Sequence, residues 1–545
     1  VNARGHRAFA RRAFLAGTLA ALSGCGAATH MRSTGHRNRA TRPGHLRYTD
    51  GEGVSGLNIH LVPETSVGFL ADLAGAYLIR YDARNRPYAE LAEVIPSREN
   101  GGISADGKTI TFRMRPGLRW SDGAPLTAAD VVFSTHVVLD PSNNDIFRST
   151  LAALSDVDRR GATEVVFRLR EPYAAFTDSF FSSDTMCLLP RHLFSGTSGL
   201  ERAAYNEKPI GHGPFMIERW KRDEAVEFVA NPRYFRGRPM LDRITYAIVT
   251  DWNTIVNQLR SGDLDFAALM PADAYLQARQ IPGFHGVAGP GGAFTQLSFN
   301  LTHPPLDDLV VRRALRLATN RRLLAAKVGR GLADLQESPL GAQSPHSDPH
   351  LAFTEYDPRR AAELLESAGY VRAADGVRAK GSLRLAFDLV TPTGSPATDQ
   401  RAAIIQSDWK KIGVALTIRR YTRTMLYNSY AGNGILERGK FDIEQSHEGY
   451  GIFGDLSLIF GCRSFPPGAN TSHYCSPAYE RANAAFTTTY DAGAMQRAAD
   501  AYQARLAADI PMIVLSIERD LYVLSDDFTG FAPRGTLDGS ERWRI

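Results

Sequence analysis

Strand-like and helix-like segments alternate along nearly the whole chain, and that alternation limits the fold before any other feature is read. β-Branched or alternating runs occur in "KTITFRMR" from Lys108, "EVVFRLREP" from Glu164, "AVEFVANP" from Ala225 and "ITYAIVTD" from Ile244, with turns between them. Helical segments with start signals stand among them. Thr127 and Asp130 form a capping pattern ahead of Val131, Val132, Phe133 and Val137 at helical spacing. In "DDLVVRRALRLATNRRLLAAKV", Val310, Val311, Ala314, Leu315 and Ala318 share one face, with Arg312, Arg313 and Arg316 opposite. "YDPRRAAELLESAGY" runs from a proline at a helix start to a stop at Gly369. With no short internal repeat, the class is α/β or mixed α+β.

The N-terminal segment has a different character. "RRAFLAGTLAALSGCG" at 11–26 follows Arg4 and Arg7, and no acidic residue occurs before Asp50. A basic start followed by an apolar run is the layout of a secretory signal. The run, residues 13–23, falls short of the roughly 20 residues a membrane span needs. Arg11 and Arg12 with Ala-Phe-Leu after them resemble a twin-arginine signal, with Ala10 where that pattern has Ser or Thr, so the export route stays open. Leu22-Ser23-Gly24-Cys25 is similar to a bacterial lipobox, which implies cleavage after residue 24 and acylation of Cys25. Residues 25–45 then read as a lipidated cysteine and a flexible, arginine-bearing tether. Without Arg4, Arg7, Arg11 and Arg12 the formal charge of +5 becomes about +1. A nearly balanced mature chain that leaves the cytoplasm is no nucleic-acid binder.

About 500 residues then remain, more than one core holds, so two or three domains are expected. In an oxidising compartment Cys462 and Cys475, which flank Pro466-Pro467-Gly468, could close a disulfide loop. Cys187, in "DTMCLLP", reads as a buried small hydrophobe.

Eight segments in order carry a resemblance. They include "LRWSDGAPLTAADVVFS" ending at 134, "GHGPFMIERW" at 211, "NPRYFRGRPMLDRITY" at 231, "LRSGDLDF" at 259, "FNLTHPPLDDLVVRRALRLATNR" at 299, "WKKIGVALTI" at 409 and "NTSHYCSPAYERA" at 470. Together they are similar to the large solute-binding lipoproteins of oligopeptide, dipeptide and nickel ABC importers, extracellular solute-binding family 5. The resemblance implies a two-lobed periplasmic-binding-protein-like fold with an inserted third subdomain. Lobe I is expected at 46–77, 190–285 and 510–545, the inserted subdomain at 78–189, and lobe II at 286–509, with "GPGGAF" at 289 as a hinge. It also implies a monomeric, non-enzymatic receptor without cofactor or metal. Such a receptor captures a short peptide or related small solute and delivers it to an ABC permease and ATPase complex at the membrane.

Carried over by position, the solute-binding residues are Glu64, Thr65 and Ser66, the aromatic Phe147, and Tyr450, Asp455 and Asn470 in lobe II. Tyr450 replaces the family's usual Trp. The carboxylate that receives a peptide ammonium three residues later is replaced by Phe453, and the nearest acids are Glu448 and Asp455. A buried ammonium without a carboxylate costs much desolvation energy. Either a small gap brings Asp455 into place, or the solute is a nickel chelate, sugar, opine or other compound.

The competing class is an exported envelope hydrolase using His447, Glu448 or Asp455 as acid or base. A sensory or scaffold lipoprotein on the same fold is a third. Ser407-Asp-Trp-Lys410 matches an SxxK pattern without a companion Lys-Thr-Gly, and Gly451 replaces the second His of a zincin-like HExxH. His303, His346 and His350 lie among prolines and read as solvent-facing.

Overall fold

The structure is a computed structural model that describes residue 38 and residues 40–533, apart from 63, 83, 184, 195–198, 342–343 and 450. The signal segment, Cys25 and Tyr450 lie outside the described residues.

Two long strands organise the molecule. The first crossover strand, Phe284–Phe299, and the second, Met512–Ser525, run antiparallel at the centre of an 11-stranded mixed sheet. Their outer halves, around Val287, Tyr522 and Leu524, belong to the core of lobe I. Their inner halves, around Leu297, Phe299, Ile513 and Leu515, belong to the core of lobe II. The change falls at an irregularity in the ladder between Gly289 and Ala293. A Cβ on Gly291 would lie 1.5 Å from the Glu518 carbonyl oxygen, so this backbone approach needs glycine.

On the lobe I side, Phe266–Ala267, His45–Thr49, Arg243–Ala247, Ala225–Ala230 and Phe215–Lys221 follow in that spatial order. On the lobe II side come Ile443–Gly449, Ala386–Pro392 and Ala415–Tyr421. The expected strands from Lys108 and Glu164 form a separate three-stranded sheet, with its own core around Trp120, Phe112 and Phe167. Beside it packs the helix Ala128–Leu139, whose N-terminus carries the capping box of Thr127 and Asp130.

Lobe II places helices on both sheet faces. Leu309–Leu317, Pro358–Ser367 and Pro396–Lys411 cover one, with Trp409 fully buried and donating to Thr319 Oγ1 at 2.9 Å. Pro477–Thr488 and Ala492–Asp509 contribute the core on the other. The helical reading of 307–328 needs two corrections. The chain breaks after Ala318, and Asn320 caps a second helix, Arg321–Lys327, by accepting from Leu323 N. Two of the three arginines opposite the core stripe are also drawn inward. The Arg312 guanidinium donates to the carbonyl of Asp509, and that of Arg316 to the carbonyl of Ala507. The last carbonyls of a helix lack intrahelical partners, and these side chains supply them.

The Cys462 and Cys475 sulfurs are bonded to each other, and Cys187 is free and buried. His346 departs from its solvent-facing reading: it is half-buried and packs edge-on against Phe453 and Phe486.

Candidate functional site

The helix Thr65–Ala74 begins one wall of the site, and its own C-terminus is held by the loop at 211–213. Gly213 N donates to Ala74 O at 3.0 Å, and a Cβ on Gly211 would fall 1.7 Å from that same oxygen. Two glycines therefore let the "GHGP" turn lie directly on the helix end. At the other end, Glu64, Thr65 and Gly68 line a cavity of about 340 Å³ that Phe147 and Ile146 complete from the inserted subdomain. Glu64, Thr65 and Phe147, separated by some eighty residues of sequence, thus meet in one place.

Phe147 is aimed by a buried pair that sequence reasoning missed. His60 is fully enclosed, with Nδ1 2.8 Å from Asp145 Oδ2 and Nε2 2.8 Å from the Cys187 carbonyl. Burial opposes a charge on this ring, but the Asp145 carboxylate and the Cys187 carbonyl outweigh it and push its pKa up to about 10. With acceptors on both nitrogens, His60 is an imidazolium. Asp145 also accepts from Phe147 N at 2.9 Å, and the His60 ring meets the Phe147 ring edge-on at 6.0 Å. The carboxylate therefore joins the lobe I histidine to the subdomain aromatic.

Three other sequence-predicted residues are not brought to this cavity, because each is engaged by the protein itself. Ser66 is buried and donates to Gly53 O at 2.8 Å. Asp455 accepts from Ser457 N and Asn483 Nδ2, which fixes the turn into the helix Ser457–Phe460. Asn470 is 0% exposed; its amide donates to the carbonyls of Gly461 and Tyr474, and its oxygen accepts from Ser472. It is a latch for the disulfide loop. Phe453 likewise points into protein, packing tilted against Phe486 with ring centroids 4.6 Å apart while Asp178 of the inserted subdomain accepts its backbone N–H.

Acidity is concentrated elsewhere in the described residues. Glu52 is raised by burial and by Glu64, and lowered by Arg423 of the lobe II helix Arg423–Tyr427. The same Arg423 lowers Glu448, which burial raises. One guanidinium therefore acts on carboxyls of both lobes. Glu444, next along that strand face, is pushed up to about 8 by burial and by Glu448, against hydrogen bonds with Ser446 and Tyr427. In the second crossover strand, burial pushes Asp520 up to about 7. Among the described residues, no group of three or more His, Cys, Asp or Glu side chains is placed to hold a metal ion.

A mixed sheet whose two long crossover strands join two cores, with a cavity lined by the helix Thr65–Ala74 and by Phe147, is the architecture of a two-lobed solute-binding fold. The sequence profile described as bacterial extracellular solute-binding proteins, family 5 Middle, matches residues 87–457, and the chain belongs to that family. It is 28% identical to Protein XP55 of Streptomyces lividans over 428 residues, 78% of this chain and 76% of that one. It is 27% identical to the oligopeptide-binding protein AppA of Bacillus subtilis over 479 residues, 86% of this chain and 85% of the relative. The fold is shared with NikZ of Campylobacter jejuni, solved in complex with Ni(L-His). That match has a TM-score of 0.77 at 23% identity and covers 93% of this chain and all of the other.

Proposed function

We propose that the protein is an extracytoplasmic substrate-binding lipoprotein. It captures a short peptide between its lobes and delivers it, as a monomer, to the permease and ATPase of an ABC importer, performing no chemistry itself. Acylated Cys25 holds it at the membrane. The reading is carried by the two crossover strands that pass through both lobes and meet at a glycine-rich irregularity, the construction a hinge-closing receptor requires. Glu64, Thr65 and Phe147 form the lobe I contact surface, and Tyr450, carried over by position, is the proposed lobe II contact. The oligopeptide-binding designation of the Bacillus relative supports a peptide as the solute.

Thermal shift of the mature chain against short peptides and against Ni(L-His), with native mass spectrometry of whatever co-purifies, tests this. A binding peptide at a hundred times its Kd stabilises by about 2.7 kcal/mol. A shift with Ni(L-His) alone replaces the peptide reading; no shift with any solute and no solute-dependent compaction in scattering overturns capture altogether.

A further inference from the structure

The inserted subdomain touches both lobes, and the two junctions are built differently. Toward lobe I it is stitched by ion pairs whose carboxylates are buried. His60 meets Asp145 at 2.8 Å, Arg236 meets Glu90 at 2.7 Å and Arg80 meets Asp72 at 3.8 Å. Ile146 N also donates to His60 O at 3.1 Å, and Leu188 N to Ala76 O at 2.8 Å. Pulling such pairs apart strands charges in the protein, so this junction resists separation. Lobe I and the subdomain therefore behave as one body.

Toward lobe II the junction is made of hydrogen bonds and small side chains. Tyr490, just past the helix Pro477–Thr488, reaches into the subdomain, where its hydroxyl accepts from Tyr173 N at 3.1 Å and donates to Gly107 O at 3.0 Å. A Cβ on Gly107 would fall 2.8 Å from the Tyr490 ring, so the glycine makes room for it. Ala174 N donates to Thr487 O at 2.6 Å. Asp178, which also accepts from the Tyr81 hydroxyl, accepts from Phe453 N. In return Ala174 and Ala175 sit in the lobe II core with Phe453 and Phe486. The same junction holds a cavity of about 250 Å³, lined by Tyr81, Phe176 and Asp178 of the subdomain and by His346, Phe453 and Tyr490 of lobe II. Two alanines beside a void leave little apolar contact to lose on parting, and the freed backbone groups find water.

Resting on the reading that a solute is captured by lobe closure, we infer that this second junction is a closure clasp. It grips lobe II when the cleft shuts and releases as a unit when the cleft opens. Tyr490 is its central positioning residue, acting on the balance between open and closed lobes and not on the solute. The protein itself then sets how much of the empty receptor is closed, and the apparent affinity for every solute scales with that fraction.

Amide hydrogen exchange on the full mature protein, empty of solute, reads the clasp directly. The amides of Tyr173, Ala174 and Phe453 cross the junction and are expected to exchange at one common rate, at least about tenfold faster than those of Ile146 and Leu188 at the lobe I junction. Tyr490→Phe removes both hydroxyl bonds. It is expected to speed exchange at Ala174 and Phe453, which that hydroxyl does not bond, by about tenfold, and to shift solution scattering toward a more open form. Wild-type amides that exchange at unrelated rates, or as slowly as Ile146 and Leu188, overturn the inference without any variant. A Tyr490→Phe protein whose faster exchange stops at Tyr173, with unchanged scattering, overturns it as well. Both readouts are taken without solute, so failure to find a binding peptide leaves them intact, and loss of the clasp leaves peptide capture standing.

Discussion

Replacing Asp145 with Asn probes the device that positions Phe147. In the native protein both members of the His60–Asp145 pair are fully buried at 2.8 Å, and the other imidazole nitrogen is held by the Cys187 carbonyl. Removing the carboxylate charge leaves a buried imidazolium without its counter-ion, or forces it neutral beside a carbonyl that expects a donor. Breaking such a pair costs about 3–5 kcal/mol, a large part of a domain's typical stability. The pH profile supplies the sign. His60 has its pKa raised from 6.5 to about 10 on folding, so the stabilisation is complete below pH 6.5. It then declines by up to about 1.4 kcal/mol per pH unit and is gone above about pH 10. Urea denaturation of wild type, Asp145→Asn, His60→Gln and the double variant, repeated at pH 6.5, 8 and 9.5, measures both. The expected pattern is a loss of about 3–5 kcal/mol for each single variant at pH 6.5, strong coupling in the cycle, and a flatter pH slope in all three variants. If Asp145→Asn lies within 0.5 kcal/mol of wild type at pH 6.5 and the slopes coincide, the ionic account of this pair is refuted.

Phe147→Ala removes one wall of the cavity and is expected to weaken peptide binding by about 1–2 kcal/mol, measured by calorimetry, with a smaller effect on apo stability because the ring is only half-buried. Trp409→Ala empties a fully buried site and removes the indole donor to Thr319 Oγ1, so denaturation should show a loss of about 3–5 kcal/mol. Gly291→Ala forces a methyl against the Glu518 carbonyl, and should shift the interlobe distance distribution in solution scattering; an unchanged distribution would mean the backbone accommodates it locally. Reducing the Cys462–Cys475 bond, which closes a loop of sequence separation 13, is expected to cost about 2–4 kcal/mol in a melting experiment.

What could be read ahead of the structure was what the chain encodes locally. The Thr127 and Asp130 box, the Gly262 stop of the helix Trp252–Ser261 and the proline at the start of Pro358–Ser367 each announce themselves within four residues. Glu64, Thr65 and Phe147 were carried over by position, and they converge on one cavity. The rest depends on partners far away in sequence. His60 and Asp145 stand 85 residues apart, and neither has a neighbour that signals burial. Arg312 looks like a solvated charge until the helix end at Asp509, 197 residues on, comes to rest on it. Asn470 sits in a polar loop, where nothing local separates a solute contact from a residue that ties the loop to itself. Glu444 belongs to "FDIEQSHEGY", a strand too polar to betray which face is covered.

The second crossover strand also governs when the molecule can exist. It fills the slot between Phe284–Phe299 and Phe266–Ala267, so a growing polypeptide that has not yet reached residue 512 has a hole in the middle of its sheet. Each half then exposes an unpaired edge, and the high sequence separation makes closure a slow step. A polypeptide built in this order keeps two half-sheets with unpaired edges until late in synthesis, the state that a chaperone must shield from aggregation.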